Sequence, residues 1–271
     1  MAGGWLRKRV LIVVRTYPAP AKSVIEASCT AAISDDGKWV RMFPVPARLL
    51  DYDKRFVKWH WIEVDLLKAS SDARPESFKL KPDSIVVGDG IGTQGSWRAR
   101  RDLIKPLQRP SMCQIQRERD EHKSPTLGVF RPREIIELLI EPTAENWTEE
   151  QLATLSQDSL FEKAPARTLE KIPYDFSYHY LCAERGCRGH TMMCTDWEMG
   201  QAYREWRRKY GDAGWEAKFR QTFETEMIEK NDTHFFVGTV HRNPGAWIIV
   251  GLFYPPKQTT GDLFNFSDDG F

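Results

Sequence analysis

The thirteen residues Cys182-Ala-Glu-Arg-Gly-Cys187-Arg-Gly-His190-Thr-Met-Met-Cys194 constrain the fold more than any other stretch of the chain. Three cysteines and a histidine stand within a polar segment too short to build an apolar core. Four soft or borderline donors on one loop, with Gly186 and Gly189 free to turn the backbone, suit a tetrahedral metal ion. The expectation is zinc held by Cys182, Cys187, His190 and Cys194. The spacing departs from the paired Cys-x2-Cys pattern, and Cys194 stands beside a helix start. A set of small buried cysteines with a satisfied histidine is therefore the competing reading, and an iron-sulfur cluster that also draws on Cys113 is a third.

The cofactor reading decides what chemistry is open. Four protein donors would close the coordination shell and make the metal structural. If Cys194 is not a donor, the remaining three leave a vacancy, and Glu198 or Asp196 could serve as a base beside it. The first case describes a binding protein, the second a metal-dependent enzyme acting on nucleic acid or a nucleotide.

Five cysteines, an odd number, with three of them in the cluster, speak against a disulfide framework. Arg7-Lys8-Arg9 precedes only five apolar residues, Val10 to Val14, which is too short for a secretion signal. The run Ala246 to Tyr254 falls short of the ~20 residues a membrane helix needs. A soluble, cytoplasmic protein is expected. Lys plus Arg (39) nearly cancels Asp plus Glu (38), so any attraction to nucleic acid must come from local patches.

Periodicity predicts an α+β protein with a β-rich N-terminal domain, for which a small barrel is one candidate form, over residues 1–140. A connector follows at 141–172, an α+β metal-binding domain at 173–256 and a flexible tail at 257–271. Val10 to Val14 reads as a buried strand. Cys29 to Ile33 and Lys38 to Phe43 read as a hairpin across Ser34-Asp35-Asp36-Gly37, and Trp59 to Leu67 and Ser84 to Val87 as further strands. Helices are expected at Arg133 to Ile140 and at Thr148 to Leu155, the latter with a Thr148/Gln151 capping box. Phe176, Tyr178 and Tyr180 alternate as in a strand. Thr195 and Glu198 suggest a second capping box, for a helix that Gly211 stops. Trp215, Phe219, Phe223 and Met227 mark the next helix, and Thr233 to Val240 and Ala246 to Tyr254 the closing strands. Gly90-Ile-Gly92-Thr-Gln-Gly95 imitates a dinucleotide fingerprint without the βαβ context that motif requires.

Two basic clusters with tryptophan, Arg98, Arg100 and Arg101 beside Trp97, and Arg204, Arg207 and Arg208 around Trp206, are candidates for clamping phosphates and stacking on bases. A solvated helix face explains them equally well. Arg15, Glu26, Arg41, Asp72, Arg74 and Glu76 form a candidate pocket for a nucleotide or modified base, since arginine reads planar anions bidentately. Paired surface ions are the simpler alternative.

Thr260-Gly261-Asp262-Leu263-Phe264 resembles the short peptide by which bacterial polymerases and repair proteins dock on the sliding clamp, written Q-L-[SD]-L-F. Asp262, Leu263 and Phe264 match it, whereas Thr260 and Gly261 replace Gln and Leu. The resemblance implies a sliding clamp as partner. Together these readings predict a nucleic-acid-associated binding protein with structural zinc, acting in bacterial DNA maintenance or mobile-element defence.

Overall fold

Val10 to Val14 are all buried because the strand that carries them, β1 (Leu6–Arg15), has a core on each face. Val10 and Ile12 enter one apolar cluster, Val13 and Leu11 another, as the two-residue period of a strand dictates. The structure is a computed structural model that describes residues 4–21, 25–156, 169–241 and 243–258.

After β1 come β2 (Ala19–Ala21), β3 (Ile25–Ser34), β4 (Trp39–Val45), β5 (His60–Lys68), β6 (Ser77–Leu80) and β7 (Val86–Gly90). The hydrogen-bonded order β1-β3-β4-β6-β5 returns to β1, where Val10 faces Ile62, and so closes a five-stranded barrel. The β-rich N-terminal region is thus a barrel. Within the barrel, among the described residues, β4 and β6 are the one parallel pair, and β7 and β2 extend the margins. The expected hairpin is β3–β4: Ser34 N–H donates to Lys38 O at 2.9 Å, and Gly37 takes the left-handed φ of 76° that the turn requires.

The chain continues through α1 (Gln94–Ile104), β8 (Gln108–Arg109), α2 (Met112–His122), β9 (Leu127–Phe130), β10 (Glu134–Pro142) and α3 (Glu149–Ser156). It ends with β11 (Tyr174–Leu181), β12 (His190–Met193), α4 (Trp197–Arg220), α5 (Glu226–Glu229), β13 (His234–Val240) and β14 (Asn243–Phe253). Because β7 runs antiparallel to β5, the glycine string after it has no βαβ unit around it.

A four-stranded sheet, β14-β13-β9-β8, lies against the outside of the barrel. Leu127, Val129, Phe236 and Phe253 meet Leu11, Val13 and Ile33 there. Its other face, through Phe130, Phe235 and Ile249, packs on the three-stranded sheet β10-β11-β12 and on α4. The expected Phe176, Tyr178 and Tyr180 alternation is β11, with all three rings buried.

Three local readings need correction or refinement. Residues 134–142 form a strand and not a helix: β10 pairs along β11, and a bulge between Ile135 and Glu137 lets Ile135 and Leu138, three apart, both face inward. That spacing mimics a helical period. The cap of α4 is Asp196, not Thr195: its Oδ1 accepts from Glu198 N–H at 2.6 Å. Gly211 does break α4 (φ 70°, ψ −174°), after which Trp215, Phe219, Phe223 and Met227 are all buried. The Thr148/Gln151 box is present, with reciprocal bonds of 2.9 and 3.3 Å.

Candidate metal centre

The side chains of Cys113, Cys182, Cys187 and His190 converge so that one donor atom from each lies within 4.8 Å of every other. Each is placed by a different local device. Cys182 follows the last residue of β11, and His190 opens β12, paired with Tyr180 and stacked on its ring at 5.3 Å. Between them the chain reverses through Gly186 (φ 82°) and Gly189 (φ 100°), left-handed positions that suit glycine. Cys113 comes from the first turn of α2.

Glu184 fastens the loop to α2. Its carboxylate accepts from Ser111 Oγ at 3.1 Å and pairs with Arg117 at 3.0 Å, while Ser111 also caps the helix through Gln114 N–H. The helix start and the loop are therefore positioned by contacts outside the donor set, as is usual for ordered metal sites.

The donors fit a single tetrahedral ion. Cys113 Sγ lies 3.3 Å from His190 Nε2 and 3.5 Å from Cys182 Sγ. These edges suit a tetrahedron with bonds of about 2.0–2.3 Å. The electrostatics agree. Burial alone would raise the Cys182 thiol, but the N–H groups of Cys113 and Glu184 and the His190 ring outweigh it and bring the thiol down to about 6. Cys113 is pushed up to about 12, by burial and then by the neighbouring sulfurs of Cys182 and Cys187. A divalent cation relieves that crowding of like charge.

Cys194 lies outside this convergent group. In an extended strand its position lies four residues, ~13 Å, beyond His190, and it is buried instead in the core, its N–H bonded to Phe176 O at 2.6 Å. Cys113, 69 residues before Cys182, takes its place. Cys29 and Cys113 both stand outside that stretch of sequence, and only the fold separates them.

The other candidate residues separate into different neighbourhoods. Arg41 and Arg74 tie the barrel to β9 and β13: Arg41 donates to Thr126 O and Arg74 to Thr239 O, each at 2.7 Å. Glu76 joins Arg41 and Thr126 Oγ1, and Asp72 forks onto Arg74 at 2.6 Å. Glu26 is held elsewhere, by Arg48 at 3.0 Å. Arg15 donates to Phe56 O and lies over the Trp197 ring at 4.9 Å. These six are buried or half-buried pairs that join layers of the fold.

Among the basic candidates, Arg100 sits between the Trp59 and Trp97 rings at 4.8 and 4.9 Å. Arg101 pairs with Asp232, Arg204 with Glu170 and Arg207 with Asp212. Arg98 and Arg208 are exposed. Asp262, Leu263 and Phe264 lie outside the described residues. No helix among the described residues is long and apolar enough to cross a membrane.

A barrel backed by two further sheets, with a Cys3His cluster able to hold a metal ion, defines the class: an α+β protein with a candidate metal centre in its C-terminal part. The chain belongs to the family described as domain of unknown function DUF8757, which it matches over residues 108–268, more than half its length. Residues 6–106 match a second family, domain of unknown function DUF8758. A search of curated proteins finds no match.

Proposed function

We propose that the chain is a nucleic-acid-associated binding protein whose C-terminal part is held by one structural zinc ion on Cys113, Cys182, Cys187 and His190. Four protein donors fill a tetrahedral shell, the pattern of structural zinc, whereas catalytic zinc keeps a position for water or substrate. Zinc suits three sulfurs and an imidazole.

The observation that supports nucleic acid as the partner is the pair Arg185 and Arg188. Both are exposed on the turn between the donors, and among the described residues neither has an ion pair or hydrogen bond. They share a concave surface with Arg117. Guanidinium groups left without acidic partners, on a loop whose backbone a metal would fix, are suited to successive phosphates.

The test is titration of the zinc-loaded protein with single- and double-stranded DNA and RNA over a salt series. Binding at low salt is expected, and Arg185→Ala with Arg188→Ala should reduce the salt slope by about two, one per lost phosphate contact. A wild-type protein that binds none of these at low salt refutes the reading.

A further inference from the structure

A cavity of 400 Å³, within the range of small-molecule sites, opens where β11, the start of α4 and the chain leaving β1 meet. Tyr17, Trp147, Tyr174 and Phe176 give its wall four aromatic rings. Two of the rings are tied at their polar ends. Tyr17 OH donates to Glu170 O and Trp147 Nε1–H to Leu169 O, each at 2.8 Å. Such rings give stacking area with little ordering cost on binding.

Tyr17 also explains a glycine in the interior of α4. A Cβ at Gly200 would fall 2.3 Å from Tyr17 Cδ2. The helix gives up about 1 kcal/mol of propensity at that position, and the ring lies directly on its backbone. Tyr17 further stacks on Trp197 at 5.6 Å.

Three charged side chains line the wall. Asp196 is engaged by Lys58 and by the N–H groups of Leu252 and Glu198, so the other two narrow the guest. The Asp175 side chain makes no hydrogen bond or ion pair among the described residues, so its carboxylate remains an acceptor for a guest donor. Lys171, whose Nζ bonds Thr143 Oγ1 at 3.2 Å and lies 6.0 Å from the Trp147 ring centroid, places a positive charge on the same wall. That charge disfavours a cationic guest, such as a methylated ammonium, and favours a neutral ring attached to an anionic chain.

We infer that this cavity receives one amino-bearing nucleobase of a nucleic-acid strand, the ring stacking on the aromatic wall and its N–H donors reaching Asp175. The inference rests on the nucleic-acid reading above. Enclosure between aromatic side chains, with contacts to the base edge, is how unstacked bases are held.

The test is calorimetric titration of the full chain with guanosine, adenosine, cytidine and thymidine, beside a parallel titration with oligonucleotides. Amino-bearing nucleosides should bind at millimolar concentration or below, and more tightly than thymidine. Trp147→Ala should weaken them roughly tenfold in a protein that still folds, and Asp175→Asn should erase the preference over thymidine. Arg185→Ala with Arg188→Ala should leave nucleoside binding intact. Oligonucleotide binding without nucleoside binding, or a Trp147→Ala variant with wild-type nucleoside affinity, overturns the cavity and leaves the broader reading standing. Nucleoside binding without oligonucleotide binding overturns that reading, and with it the assignment of the base to a strand.

Discussion

The sulfur of Cys113 lies 3.5 Å from that of Cys182, although 69 residues separate them in the chain. A metal ion held there would join α2 to the β11–β12 loop and close a long stretch of chain, whose closure would cost the unfolded state about 4 kcal/mol of entropy in the chain-entropy account. Cys113→Ala should therefore abolish stoichiometric zinc and lower the melting temperature as strongly as Cys187→Ala. Cys194→Ala should retain one zinc per chain. Elemental analysis beside thermal melts checks this, and zinc lost from the Cys194 variant alone would contradict the donor set.

Lys58 Nζ lies 3.1 Å from Asp196 Oδ2, 3.2 Å from Glu198 Oε2 and 3.3 Å from Leu252 O. Lys58→Met should cost about 3–5 kcal/mol, because Asp196 is left as a buried charge without its partner. Asp196→Asn in the same chain should recover part of the loss. Urea denaturation of both variants measures the difference.

Burial works against the Asp72 carboxylate, but the Arg74 side chain and N–H hold it well below the usual carboxylate range. A depressed folded-state value gives stability that is present above the unfolded value, about 4, and is lost as pH falls toward the folded one. Asp72→Asn should be destabilised by about 2 kcal/mol at pH 7, and its gap from wild type should narrow below about pH 4. Melting temperatures from neutral to acid pH give the comparison, and a gap that widens in acid would reverse the assignment.

Gly200→Ala ordinarily strengthens a helix, yet here the added methyl group meets the Tyr17 ring. A net loss of about 1–3 kcal/mol is expected from this overpacking. Thermal denaturation would show it, with a fall in nucleoside affinity as Tyr17 leaves its seat.

The resemblance of the tail to a sliding-clamp peptide makes its own prediction. A peptide spanning residues 257–271 should bind a bacterial sliding clamp, and Leu263→Ala with Phe264→Ala should abolish that binding, since such anchors carry most of the energy of short motifs. The same double change in the full chain should leave the melting temperature unaltered. Calorimetry with the peptide and a melt of the variant together decide the point.

Features that depend on neighbouring residues were legible in the sequence. The β3–β4 hairpin follows from Asp36-Gly37 between apolar runs, the aromatic strand from Phe176, Tyr178 and Tyr180, and three members of the candidate metal cluster from their shared loop. What failed depends on contacts across the chain or on irregular backbone. Cys113 joins the donors through tertiary packing, so no spacing marks it. Ile135 and Leu138 share a face only because of a bulge. Glu26 was grouped with Arg41 and Arg74 by residue type, whereas Arg48 is its partner. Arg185 and Arg188 carry no mark in the sequence, because only the structure shows that among the described residues they lack acidic partners.

The break at Gly211 acts as an elbow. Tyr203 and Trp215, twelve positions apart within α4, bring their rings to 4.8 Å edge to face, whereas a straight helix would hold such positions roughly 18 Å apart along its axis. The φ and ψ at residue 211 belong to a region open essentially to glycine alone. A side chain there would favour straightening the arm and lifting Trp215, Phe219 and Phe223 off the sheet. The largest aromatic assembly in the C-terminal part is thus folded into place by the one residue type that has no side chain to pack.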